Sequence, residues 1–116
     1  MDFKENKIFK TKITIEYPTL RNILEERLGR KMYYEVRGLH DPKRKEFSPL
    51  SLFADYATQN SYVDLEIECL EDEIEWFKNS ENAEIAEREV SILVLEEIVK
   101  IFKENNIDSA LLLVWW

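Results

Sequence analysis

Asp64, Glu66, Glu68, Glu71, Asp72, Glu73 and Glu75 follow one another with no basic residue between them. Carboxylates that alternate along a strand point to one face, and a face carrying Asp64, Glu66 and Glu68 could hold Mg²⁺ or Ca²⁺ through hard oxygen ligands. Metal-dependent cleavage of a phosphodiester asks for more. It needs acids arriving from a second element and commonly a Lys or His beside the attacked phosphate. The spacing supplies neither, so a metal-dependent enzyme on these three acids is the lesser reading and a solvated acidic face the greater.

His40 is the single histidine, and its type titrates near neutral pH. No Ser/Asp partner stands at a recognisable spacing. Beside Asp41, Pro42 and the cations Lys43, Arg44 and Lys45, it reads as a solvated turn residue. Those cations could grip phosphate, with Tyr33, Tyr34 and His40 as stacking surfaces, but a net charge of −8 opposes nonspecific nucleic-acid binding. Gly-rich phosphate loops and the helical His/Glu metal pair are absent. Cys69, the one cysteine, excludes an internal disulfide and a thiolate metal cage built by one chain. The expectation is a protein with no catalytic residue, no metal site and no cofactor.

Charge is divided unevenly along the chain. Residues 1–50 hold 12 Lys/Arg and 8 Asp/Glu, a net of +4, whereas residues 51–116 hold 4 and 16, a net of −12. With 116 residues, 45% of them hydrophobic, the chain is expected to fold as one domain over 1–116 without disulfides. The first residues, MDFKENKIFKTK, lack the apolar core of a signal peptide, and no apolar run approaches a membrane span. A cytoplasmic protein is the reading.

The elements that would position these groups follow from periodicity. Phe9, Thr11, Ile13, Ile15 and Tyr17 alternate with polar residues as a half-buried strand does, and Pro18 is expected to end it. Thr19 then caps a short helix carrying Leu20, Ile23, Leu24 and Leu28, with Gly29 available for a left-handed stop. Met32, Tyr34 and Val36 form a second strand ending at Gly38. Residues 39–48 read as a loop with Lys43, Arg44 and Lys45 at its tip, and Ser48–Pro49 as a helix start followed by Leu50, Phe53, Ala54 and Ala57.

Residues 61–69 fit two templates. Val63, Leu65, Ile67 and Cys69 alternate as a strand would, while Val63, Ile67, Leu70, Ile74 and Phe77 make a helical stripe; β-branched and aromatic content tilts 61–69 toward strand and leaves helix for 70–79. Ser80 or Asn82 is expected to cap a long helix reaching Asn105, apolar over more than half its circumference and therefore central. The run from Ala110 to Trp116 has no polar alternation and suits an inner strand covered on both faces. Trp115 and Trp116 point to opposite sides of such a strand, one as core and the other as core or interface.

The fold class these readings give is α+β: a mixed sheet of about four strands packed by a long central C-terminal helix and shorter helices. The helix after Thr19 and the long helix are each expected to serve as parallel crossovers. For function, the acidic half points to a non-enzymatic inhibitor that covers a basic, nucleic-acid-binding surface of a partner protein, without direct nucleic-acid or membrane binding. Its partner-binding residues are Asp64, Glu66, Glu68, Glu71, Asp72, Glu73 and Glu75. Two settings share that physics: an immunity protein neutralising a nuclease-type toxin, which is preferred, and a phage inhibitor of a host defence complex. The alternatives are the metal-dependent enzyme above and an oligomeric scaffold paired through the apolar terminal strand.

Overall fold

The computed structural model describes residues 4–5, 13–38, 41–50, 61–81 and 83–114, and at 4–5, 36–38 and 41–47 it describes the backbone alone. Strand β1 (Lys4–Glu5) pairs antiparallel with β2 (Ile13–Glu16), which leads directly into α1 (Tyr17–Leu28) and a 3₁₀ turn over Gly29–Met32. Strands β3 (Tyr34–Gly38) and β4 (Asp41–Phe47) form a separate two-stranded ribbon. Strand β5 (Ser61–Glu66), helices α2 (Ile67–Asn79) and α3 (Ile85–Glu104), and strand β6 (Ser109–Val114) complete the order. The main sheet is mixed, in the order β1-β2-β6-β5, with β6 parallel to β2 and antiparallel to β5. This is the expected α+β class with a four-stranded mixed sheet and a long C-terminal helix.

The apolar C-terminal run does form an inner strand, because β6 lies between β2 and β5. Its Ala110, Leu112 and Val114 are fully buried, in register with Ile13 and Ile15 on one side and with Leu65, Val63 and Ser61 on the other. They pack with Leu20 and Leu24 of α1, Leu70, Ile74 and Phe77 of α2, and Val94, Ile98, Ile101 and Phe102 of α3. The opposite face differs from expectation: Leu111 and Leu113 are only half-buried, and Tyr62, Asp64 and Glu66 beside them are exposed. Among the described residues, cover is thus complete on one face of this strand and partial on the other. Trp115, Trp116 and His40 lie outside the described residues, as do residues 51–60 of the helix expected after Pro49.

Several boundaries depart from the sequence reading for identifiable reasons. Tyr17 is helical and Pro18 sits in the first turn of α1, where its missing N–H is no loss, so the proline opens the helix and Glu16, extended at φ −81°, takes the place read for Thr19. Gly29 does adopt positive φ, at 59°. The stretch read as a loop with a basic tip is instead β4, its ladder with β3 running from Tyr34↔Phe47 to Gly38↔Asp41. Cross-strand pairing overrides the turn chemistry there, and a two-stranded ribbon has edges that tolerate Pro42. Ser80 is the residue after α2, not the cap of α3, which starts at Ile85 behind Glu84.

Neither helix makes the crossover read for it. After α1 the chain enters the separate ribbon, and α2 and α3 pack as a pair that returns the chain to the end of the sheet it left, so β6 runs antiparallel to β5. Parallel pairing arises between β2 and β6, distant in sequence.

Candidate functional site

The acidic segment spans the junction of β5 and α2. Along β5, Leu65 is buried, whereas Tyr62, Asp64 and Glu66 point outward. Glu66 is extended, and the chain turns helical at Ile67 with no side-chain cap. In place of a cap, the Ile67 N–H donates to the Asp108 carbonyl at 2.9 Å, tying the helix start to the approach to β6. Glu68 sits in the first turn, where the helix dipole favours an anion. Leu70, Ile74 and Phe77 then form the buried stripe of α2.

All seven predicted partner-binding residues, Asp64, Glu66, Glu68, Glu71, Asp72, Glu73 and Glu75, are exposed. They do not share one face. Glu68 belongs to the helix and leaves the strand row with Asp64 and Glu66, which removes the three-carboxylate strand face read as a metal platform. Among the described residues, no group of three or more His, Cys, Asp or Glu could hold a metal ion.

Charge compensation is uneven. Arg27 of α1 donates to Glu97 at 3.1 Å and, through both terminal nitrogens, to Glu104, joining the basic half of the chain to α3. These bonds hold the guanidinium in its charged form and keep the Glu104 carboxyl below its ordinary pKa. Lys78 stands 3.8 Å from Glu75 and 4.0 Å from Glu96. Among the described residues, Glu68, Glu71, Asp72 and Glu73 form no such pair.

Cys69 is exposed within this segment, and its thiol donates to a Glu66 carboxylate oxygen at 3.7 Å. Desolvation by its neighbours, then the charge of Glu66 and its hydrogen bond, raise the thiol pKa. A raised pKa makes it a poor nucleophile at neutral pH. Tyr33, considered above as a stacking surface, donates its hydroxyl to Glu25 at 2.6 Å.

Trp76 escaped the sequence reading. It is 60% exposed on α2, amid the acids. The signal was present: Leu70, Ile74 and Phe77 share a phase that excludes position 76, so a large aromatic there must face away from the core.

Comparison with protein-family models, curated proteins and solved structures found no match. Among the described residues, no helix is long and apolar enough to cross a membrane.

Proposed function

We propose that this chain is a non-enzymatic acidic binding protein whose β5–α2 surface covers a basic, nucleic-acid-binding surface of a partner protein in the cytoplasm. The observation that carries this reading is the set of exposed carboxylates Glu68, Glu71, Asp72 and Glu73, which form no ion pair among the described residues although Arg27 and Lys78 are paired elsewhere. Uncompensated charge on a rigid helix steers a basic partner into contact and occupies the place of a phosphate backbone without chemistry of its own. The preferred setting is immunity against a nuclease-type toxin, since a domain with a continuous buried core suits standing protection.

Co-purification of the tagged chain from its native host, with mass spectrometry of what stays bound, tests the reading. A basic nucleic-acid-binding protein should be retained at low salt. Reversing Glu66, Glu68 and Asp72 to Lys should slow its association, and the wild-type rate should fall with ionic strength. A partner whose association ignores both changes would remove the mechanism.

A further inference from the structure

The acidic surface carries an aromatic ring that charge alone does not explain. Trp76 is 60% exposed, yet it is not loosely held: its indole meets the Phe77 ring edge-on, with centroids 4.9 Å apart at 82°. Phe77 is itself core, at 5% exposure, so the exposed ring is braced against the interior. Cys69, Asp72, Glu73 and Trp76 lie at i, i+3, i+4 and i+7, on one flank of α2, and line a shallow, open surface depression of about 440 Å³. Nothing else among the described residues lines it, and neither Asp72 nor Glu73 has an ion-pair partner among them.

We propose that this flank is a docking surface for a protein segment presenting arginine, with Trp76 as its anchor. The proposal rests on the acidic-surface reading above and names the chemistry of its partner. Charge complementarity selects a cation, and the indole selects which one. A guanidinium is planar: it stacks on the indole while its N–H fork reaches a carboxylate, whereas a lysine ammonium offers a strongly hydrated point charge. An apolar segment would bury the Asp72 and Glu73 charges unpaired, at high cost. A nucleic-acid strand, or a second copy of this acidic flank, would meet like charge.

The test uses the full chain and two synthetic peptides of equal length, one arginine-rich and one lysine-rich, with affinity measured by calorimetry. The Trp76 indole N–H resonance, assigned by its loss in Trp76→Phe, locates the contact. The arginine peptide should bind about tenfold more tightly and shift that resonance. Trp76→Ala should abolish the preference, and Asp72→Asn with Glu73→Gln should weaken arginine binding by a similar factor; both changes lie on the surface, and a melting temperature no lower than the wild type's checks the fold. Equal affinity for the two peptides, or an arginine preference surviving Trp76→Ala, overturns the proposal. If reversing Glu66 and Glu68 weakens both peptides while Trp76→Ala changes nothing, the acidic surface stands and the anchor falls; if neither matters, both fall. Binding of an oligothymidylate, or a concentration-dependent mass, that disappears in Trp76→Ala would assign the ring to nucleic acid or self-association and overturn it as well.

Discussion

The Ile67 amide and the Asp108 carbonyl, 2.9 Å apart, fasten the start of α2 to the chain entering β6. This one bond holds the turning point between Glu66 and Glu68 in register with the central strand, as Glu66↔Ser109 pairing continues into β5.

Ile67→Pro should isolate that bond. Ile67 is the first helical residue and Glu66 before it is extended at φ −123°, ψ 136°, both compatible with proline, so the change removes the donor without breaking the helix. Chemical denaturation should show Ile67→Pro less stable than Ile67→Ala by about 1 kcal/mol. Equal stabilities would mean that the bond contributes nothing net.

Tyr33 should make the fold sensitive to alkali. Its hydrogen bond to Glu25, with burial and the Glu25 charge, pushes its pKa up to about 12. The raised value means that the protonated hydroxyl is stabilised by folding, fully below the unfolded pKa of about 10. This contribution is lost as pH rises from there through about 12. Melting temperatures of the wild type and Tyr33→Phe, compared between those limits, should converge as pH rises.

The central strand should govern stability. Leu112 is fully buried with neighbours on both sides, and Leu112→Ala should cost about 2–5 kcal/mol. Removing residues 111–116 takes Leu112 and Val114 from the middle of the sheet and leaves β2 and β5 without their shared neighbour. The truncated chain should be unfolded by circular dichroism or insoluble. A monomer with an unchanged melting temperature would show that β6 is a docking strand.

Crowded acids on α2 should lower stability. Glu68 and Asp72 are four residues apart, as are Glu71 and Glu75, so like charges face each other along the helix. Asp72→Lys replaces repulsion with attraction toward Glu68 and Glu75, and the melting temperature should rise by about 2–5 °C. Partner association should slow in the same variant. A fall in melting temperature would show that Asp72 contributes to the fold.

Much of this architecture was legible in the chain. The unbroken apolar run after Ala110 identifies an inner strand, and the wide apolar face of 90–102 a central helix, because both patterns report burial directly. The junctions were not legible. Residues 61–69 satisfied strand and helix periods together, and the structure divides them after Glu66: Leu65 is buried by the strand, while Ile67 opens the helix that buries Leu70, Ile74 and Phe77. The switch between them is marked by the tertiary bond from Ile67 to Asp108, which no local pattern carries. Strand β4 was hidden for a related reason, since only its pairing with β3 makes an extended strand of residues whose types favour a turn. At the candidate site, the sequence located the carboxylates, while the break at Glu66 determined how they divide between strand and helix. The exposure of Trp76 needed only its phase against Leu70, Ile74 and Phe77.

The parallel pairing of Ile13 with Ala110 and of Ile15 with Leu112 also constrains when the protein can exist. Strand β2, early in the chain, has as its inner neighbour the last described strand, so the main sheet cannot close until residue 114 has cleared the ribosome. During synthesis, α2 and α3 would emerge with their apolar faces uncovered by that strand, and nascent chains would rely on contacts that do not involve it. The acidic surface is therefore presented on a finished scaffold only after synthesis has passed β6, and shortened products would be degraded as unfolded protein.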